Sequence, residues 1–312
     1  MQGNWSAAFV FGEKLLTLQR LISPDCALRL RPQAPKVKTR SMAQTKVLFI
    51  SQEITPYLAE NPRTLLGREL PQGVAENGYE VRTFMPKYGA INERRNQLHE
   101  VIRLSGLNIP IDDNDHPLVI KVATLLPVRM QVYFIDSDDY FHKPPVKGLE
   151  TETDKEDNDE RSMFYVRGVA ETVKKLRWEP AVIQCDGWIT ALSPMYLKRL
   201  YADEPSFCNS KIVYTLHNDA FEGSLDSRFV DKLLQEGLTK KDLKAIAKGE
   251  VDHKALTRLA IDYADAIMQA DADVDPELIQ YAEKSGKPFL KFTTEEERTP
   301  RLVAFYEELL KK

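Results

Sequence analysis

The sequence predicts an α/β protein with a Rossmann-like, doubly wound and mostly parallel sheet that carries helices on both faces. Short apolar runs alternate along the chain with longer segments whose apolar residues recur at helical spacing, which is the pattern of a parallel sheet covered by helices. The runs at residues 46–51, 180–184 and 211–215 have the length and the apolar content of buried strands. In folds of this class, ligands bind beyond the carboxyl ends of the strands.

The elements are predicted in order from these patterns. The strands are expected at residues 46–51, 79–85, 101–107, 118–123, 130–135, 180–184, 211–215 and 265–268, and the helices at residues 65–76, 161–177, 191–200, 231–263 and 301–310. Pro71 should kink or interrupt the first helix, and Asn77 with Gly78 should end it. Pro300 suits the first turn of the last helix. Because three strands between 101 and 135 follow one another without a helix, we expect a hairpin or meander appended to the sheet.

Two segments differ from the rest in their charge. Residues 1–41 hold seven basic and two acidic residues. We interpret them as a basic extension upstream of a natural start at Met42, with a targeting peptide as the alternative. Residues 150–160 contain no apolar side chain, so a solvated, disordered or mobile loop is predicted there.

Composition excludes several classes of protein. The net charge of −4 argues against a general nucleic-acid binder. No run of about 18 apolar residues occurs, so no transmembrane helix is expected. The three cysteines lack metal-site or disulfide spacing, which indicates free thiols and a cytoplasmic location. A glycine-rich phosphate loop is also missing, and this disfavours nicotinamide dehydrogenases and P-loop NTPases.

Four stretches in order carry a family resemblance. Residues 46–57 are similar to the opening strand and loop of bacterial and plant glycogen/starch synthases, and residues 157–161 resemble that family's D-N-x-x-R-F helix. Residues 178–192 resemble the stretch that ends in H-x-H-D-W-H-T-x-L, and residues 213–223 resemble T-x-H-N-x-x-Y-Q-G. Each motif alone is weak, but four in the right order point strongly to the family.

The resemblance implies the N-terminal Rossmann-like half of a two-domain, GT-B type glycosyltransferase. It implies transfer of glucose from ADP-glucose to an α-1,4-glucan in glycogen biosynthesis, with retention of configuration and without a metal or other cofactor. We expect the family domain at residues 42–290, and a linker and helix at residues 291–312 that pack back on it. The apolar face of that helix is formed by Val303, Phe305, Tyr306, Leu309 and Leu310. The second domain of the family would lie beyond residue 312.

The same comparison supplies the candidate site residues. His217 corresponds to the family histidine beside the transferred sugar, and Asp186 could take the role of the family aspartate, which Gly187 replaces. These two are the catalytic candidates. The substrate-binding candidates are Asn218, Trp188, Phe221 and Gly223. Packing above the sheet is an equal alternative for Trp188 and Phe221, and for His217 with Asn218 the alternative is a strand cap.

Two departures argue against normal donor binding. Where the family has K-x-G-G-L, this chain has residues 59–63, in which Glu60 adds a negative charge and Pro62 removes a backbone donor. The flanking family histidines are replaced by Gln184 and Ile189. ADP-glucose binding is therefore doubtful, and three hypotheses stay open: a functional glucosyltransferase, whose second half another polypeptide could supply, a glucan-binding or regulatory remnant, and a structural partner of another enzyme.

Other polar residues carry weaker hypotheses. Acidic residues at 136–139 resemble the alternating oxygens of a cation site, but a metal-free turn is the favoured interpretation. His99, His142 and His253 lack partners at ligand spacing and are predicted at the surface. No metal site is expected.

Overall fold

A computed structural model describes residues 44–142, 157–247 and 249–311. The predicted basic extension and most of the predicted acidic loop lie outside these residues. The strands are β1 Lys46–Ser51, β2 Glu80–Pro86, β3 His99–Glu100, β4 Leu107–Ile111, β5 Asn114–Leu125, β6 Met130–Asp136, β7 Val182–Asp186, β8 Lys211–Leu216, β9 Ala266–Gln269 and β10 Phe289–Leu290. The helices are α1 Pro62–Glu76, α2 Asn158–Leu176, α3 Ser193–Arg199, α4 Phe229–Gln235, α5 His253–Tyr263, α6 Pro276–Lys284 and α7 Glu295–Leu310.

The predicted doubly wound sheet is confirmed. Its strands follow the order β10-β9-β8-β7-β1-β2-β6-β5-β3, and β4 pairs with β5. The pairs from β10 through to β6 are parallel, whereas β5 pairs antiparallel with β3, β4 and β6. In chain order, β1 lies in the middle of the sheet, β2 and β6 lie on one side of it, and β7 lies on the other side. This reversal places a topological switch point between β1 and β7.

Helices cover both faces of the sheet because alternate residues of each strand face opposite ways. Leu48 and Ile50 of β1 belong to the larger apolar cluster, which the residues of α2, α3 and α5 complete. Val47 and Phe49 of β1 belong to a second cluster with residues of α1 and α7. Both clusters consist of buried side chains, so each face of the central strands is covered.

The last helix completes the second cluster. Phe305, Tyr306 and Leu309 are buried there, as is Leu302, which the predicted apolar face did not include. Leu310 was predicted on that face but is 39% exposed. The hydroxyl of Tyr306 reaches between the strands and donates a 2.8 Å hydrogen bond to Gln184 Oε1 on β7.

The structure differs from prediction at Pro300 and at residues 101–107, and it shows that Pro71 does not interrupt α1. Helix α1 runs without interruption through Pro71, and α7 likewise through Pro300, which lies inside the helix and not in its first turn. Tertiary packing of the apolar residues on both sides of each proline outweighs the local penalty. The predicted strand 101–107 is instead a turn, closed by the hydrogen bond from Leu104 N to Val101 O at 2.8 Å, which leaves Ile102 in solvent.

Two further segments differ from their predictions. Residues 231–263 form two helices with turns between them, and not one helical region. Helix α2 begins at Asn158, inside the predicted solvated stretch, and Asp159 is fully buried. The buried Lys232 of α4 explains this difference, since its Nζ lies 2.8 Å from Asp159 and 2.6 Å from Glu160 and neutralises charges that would otherwise need solvent.

Candidate functional site at the carboxyl edge of the sheet

The candidate site lies where the central parallel strands end. Ser51, Asp186 and Thr215 are register partners at the ends of β1, β7 and β8. Gln52 follows β1, His217 follows β8 and Asp271 lies just beyond β9, while Asp186 is the last residue of β7. The switch point thus brings together side chains that are far apart in the sequence. Gly187 follows β7 with φ +90°, and a Cβ at this position would lie 2.6 Å from the side chain of Gln52. Glycine is therefore required for the loops after β1 and β7 to approach this closely.

His217 is held between two carboxylates. Its Nε2 lies 2.6 Å from Asp186 Oδ1, and its Nδ1 lies 3.2 Å from Asp271 Oδ2. Burial alone would lower the pKa of His217, but the negative charge of Asp186 and the hydrogen bonds to both carboxylates raise it to about 10. The ring is therefore a doubly protonated cation at neutral pH, and it donates to both acids.

This pairing decides what the two catalytic candidates can do. The structure brings His217 and Asp186 into direct contact, as two members of one site. However, the His217 side chain is only 1% exposed, and both of its nitrogens are already engaged. In this arrangement its polar contacts are with Asp186 and Asp271, whose positions it fixes.

A second buried pair supports the loop that follows β7. Asp219 Oδ2 accepts a 2.7 Å hydrogen bond from the backbone N–H of Trp188, and Asp219 Oδ1 lies 3.0 Å from His253 Nε2. Burial raises the pKa of Asp219, but the hydrogen bond and charge of His253 and the charge of His217 outweigh this and lower it to about 2. The prediction that His253 lies at the surface is wrong: it is 7% exposed, because Asp219 provides its partner inside the protein.

The two aromatic candidates pack against each other. The rings of Trp188 and Phe221 lie 5.1 Å apart in an edge-to-face arrangement, and Phe221 also contacts the ring of His253. Trp188 is 2% exposed and Phe221 8%. Their geometry corresponds to the packing alternative, in which they form a wall of the site and do not present an open stacking face.

The solvent-facing part of the site is formed by Asn218 and two aspartates. The backbone N–H of Asn218 donates to Asp271 Oδ2 at 2.9 Å, and its side-chain amide donates to Asp273 Oδ2 at 2.7 Å. Beside them a cavity of about 220 Å³ opens against the N-termini of α5 and α6. Its lining includes four of the six candidates and several new residues: His217, Asn218, Ala220, Phe221, Gly223, Asp252, His253, Lys254, Asp275 and Leu278.

Polar groups in the loop after β1 and in the first turn of α1 bond to one another. Asn61 caps α1, accepting hydrogen bonds of 2.9 Å from the backbone N–H groups of Arg63 and Thr64. Its side-chain amide donates to Glu53 Oε2 at 3.2 Å, and Arg63 Nε lies 3.6 Å from Glu53 Oε1. Glu53 is 2% exposed. The N–H groups that a helix N-terminus offers to phosphate are thus occupied by Asn61.

Comparison with known proteins assigns the fold and the motifs to one family. The family model of the starch synthase catalytic domain matches residues 46–287. The chain belongs to the glycogen and starch synthase family. It is 36% identical over 195 residues to a glycogen synthase of Chlorobium luteolum, covering 61% of this chain and 39% of that protein. It is 34% identical over 238 residues to a glycogen synthase of Chlorobium limicola, covering 73% of this chain and 48% of that protein.

A solved structure agrees on the fold. The catalytic domain of starch synthase IV from Arabidopsis thaliana, bound to ADP and acarbose, matches with a TM-score of 0.66 at 18% identity, covering 81% of this chain and 52% of that one. The chain is a glycogen/starch synthase-like glycosyltransferase domain, and it spans less than half the length of the two bacterial synthases. Within the described parts of the chain, every helix is too short or too polar to cross a bilayer.

Sequence reasoning did not find three of the residues that organise this candidate site, namely Asp219, Asp271 and His253. Asp219 stands one residue after the recognised His217-Asn218 pair, and Asp271 follows β9 two residues after its end. Asp219 and Asp271 share one signal, since each follows the end of a parallel strand at the edge where this fold places its ligands; His253 is the first residue of α5 and carries no such signal.

Proposed function

We propose that this chain binds the α-1,4-glucan acceptor of a glucan synthase at the carboxyl edge of its sheet, and that it holds ADP-glucose weakly or not at all. The observation that carries the proposal is the arrangement of Asn218, Asp271 and Asp273, whose oxygens and amide converge at the ends of β8 and β9. Sugar hydroxyls both donate and accept hydrogen bonds, so carboxylates beside an amide are well suited to them. The cavity next to these groups offers an apolar wall, with Phe221 and Leu278.

The charges at this edge favour a neutral ligand over a nucleoside diphosphate. Asp271 and Asp273 face the solvent side, while the cationic His217 is enclosed by its two carboxylates. A diphosphate would meet these acids, and like charges at short range repel. The two neighbouring cations are already paired, Lys254 with Asp275 and Glu277, and Arg63 with Glu53. A glucan carries no charge and does not incur this repulsion.

The loop after β1 supports the same conclusion. A family phosphate site would need free backbone donors and a cation, but Asn61 already accepts from the first turn of α1. The guanidinium of Arg63, in the first turn of α1, lies 3.6 Å from the buried Glu53. We therefore infer that the polar groups of this loop are engaged with one another and do not contact the donor phosphates.

Calorimetric titration of the full chain with maltoheptaose and, separately, with ADP-glucose tests the proposal. We expect binding of maltoheptaose, and a loss of affinity of about 3- to 10-fold for Asn218→Ala, because one hydrogen-bonding group contributes about 0.5–1.5 kcal/mol. Asp203→Ala is the matched control, since Asp203 is an exposed residue remote from these strand ends. If maltoheptaose did not bind, or if Asn218→Ala bound it as well as the wild type, the glucan site would be refuted.

The donor half of the proposal has its own outcome. Binding of ADP-glucose as tight as that of maltoheptaose, or transfer of glucose to maltoheptaose by the chain alone, would show that the polar groups of the loop after β1 are not engaged with one another in solution. Glucan binding without turnover is the result that we expect. We also propose a cytoplasmic location, in keeping with the free thiols of Cys185 and Cys208.

A further inference from the structure

A second polar cluster lies at the same edge of the sheet, outside the glucan site, where β2 and β6 end. It consists of Glu93, in the turns after β2, Asp136, the last residue of β6, and His142. One potential ligand atom from each side chain lies within 4.8 Å of the other two. We propose that these three side chains bind a zinc ion.

The buried oxygen of Asp136 is the first argument. Asp136 is 3% exposed, and its Oδ1 has no hydrogen-bond partner among the described residues. A buried carboxylate oxygen without a partner is costly, and a bound ion would remove that cost. Nε2 of His142 lies 3.2 Å from this Oδ1.

That separation fits two ligands of one ion. Zinc binds imidazole nitrogen and carboxylate oxygen at about 2.0–2.2 Å, so two ligands in a tetrahedral site lie about 3.4 Å from each other. The observed 3.2 Å between Nε2 of His142 and Oδ1 of Asp136 is close to this value. Glu93 is a partly exposed side chain, so it can move the short distance needed to supply a third ligand, and water would supply the fourth.

The orientation of His142 is the second, independent argument. Its other ring nitrogen, Nδ1, lies 2.9 Å from Oδ1 of Asp138. A histidine that ligates zinc usually donates its remaining N–H to a carboxylate, which fixes the tautomer and directs the free nitrogen to the metal. Asp138 thus orients the imidazole of His142 so that its Nε2 lies on the side of Asp136.

Two lysines hold the carboxylates in place and influence the choice of ion. Lys121 Nζ lies 2.8 Å from Asp136 Oδ2 and 2.6 Å from Glu93 Oε1, and Lys87 Nζ lies 3.0 Å from Glu93 Oε1. These contacts orient the acids and offset much of their charge. Calcium and magnesium depend on several charged oxygens, whereas zinc also gains from the imidazole. The donor set therefore favours zinc.

Zinc titration of the full chain tests the proposal, after treatment with a chelator and in a Cys208→Ser background that removes an exposed thiol. We expect one zinc ion per chain by calorimetry, and a rise in melting temperature because the ion links the turn at Glu93 to the end of β6. His142→Ala should abolish saturable binding. Asp138→Asn changes a side chain that is 90% exposed, so folding is unaffected, and it should weaken zinc binding about 10- to 100-fold.

His116→Ala is the matched control, since His116 is another histidine of this edge, paired with Asp139 at 2.7 Å. It should bind zinc like the wild type. The proposal is overturned if the wild-type chain shows no saturable uptake at up to about 1 mM zinc, or if His142→Ala and Asp138→Asn both bind as tightly as the control. Because no glucan is present, failure here leaves the glucan site untouched, and failure of glucan binding leaves the zinc site untouched.

Discussion

The buried pair of His217 and Asp186 should make stability depend on pH in a characteristic way. Replacing Asp186 with asparagine keeps the shape of the side chain but removes the charge that lies 2.6 Å from the imidazole. Removing one partner of a buried ion pair lowers the free energy of unfolding by about 3–5 kcal/mol, because the other charge stays buried without its partner. We therefore expect Asp186→Asn to lower the free energy of unfolding by about this amount at a pH where the histidine is charged in both states.

The sign of the pH dependence follows from the raised pKa. In the unfolded chain a histidine titrates near pH 6.5, whereas in the folded protein the pKa of His217 is raised to about 10. The stabilisation is thus fully present below about pH 6.5 and is lost as pH rises towards 10, at about 1.4 kcal/mol per pH unit. In Asp186→Asn the pKa of His217 falls back towards its ordinary value, and this loss largely disappears. The difference between wild type and variant should therefore shrink as pH rises and nearly vanish close to pH 10.

Urea unfolding followed by tryptophan fluorescence at about pH 6, 8 and 10 measures this difference. Asp203→Asn makes the same chemical change at an exposed position and should unfold like the wild type at each pH. If the effect of Asp186→Asn were the same at all three pH values, the imidazole would be neutral in the folded protein, and the reasoning from a charged pair would be refuted.

Two further changes test the packing behind the site. Tyr306→Phe should lower the free energy of unfolding by about 1–3 kcal/mol, because Gln184 Oε1 loses a 2.8 Å hydrogen bond in a buried place; chemical denaturation measures it, and an unchanged midpoint would contradict it. Gly187→Ala should cost about 2–5 kcal/mol, since left-handed backbone strain adds to a clash with Gln52. Gly78→Ala is its control: it has the same positive φ but open space around it, so an equal loss in both would exclude the clash.

The central strands could be predicted because their side chains are buried on both faces. Residues 46–51 and 211–215 read as continuous apolar runs, and β1 and β8 lie there with at most one residue of difference. The segment 101–107 also contains apolar residues, but after Val101 donates a 2.8 Å backbone hydrogen bond to Ile120 of β5 the chain turns. Local composition does not distinguish these cases, because the segment joins β5 only through separate hydrogen bonds on either side of a local turn.

The site could be predicted only in part for the same reason. His217 and Asp186 were recognised from motifs, and their direct contact follows from the register of β7 and β8. The burial of His253 depends on Asp219, 34 residues earlier in the chain, and no periodic pattern links two such positions. The role of Asp271 likewise depends on β9 lying next to β8.

The residues that depart from the family motifs form a consistent set of contacts. Gln184, at a family histidine position, donates to Thr215 Oγ1 at 2.6 Å and accepts from Tyr306 at 2.8 Å. Ile189, at the other histidine position, donates its backbone N–H to Gln52 at 3.4 Å. Asp186 engages the one histidine that is retained. If these positions had changed without compensation, their neighbours would be left as unpaired buried polar groups.

Among the motif side chains just described, each buried polar group has a partner, whereas the indole Nε1 of Trp188 has none among the described residues. Trp188 matches the family motif, so the unpaired group lies on a retained residue and not on a replaced one. Partners at the replaced positions are expected if the new side chains formed a different set of hydrogen bonds while the carboxyl edge of the sheet kept its fold. A site with its hydrogen bonds formed in this way holds its side chains in fixed positions, and fixed positions lower the entropy that is lost when a neutral glucan binds.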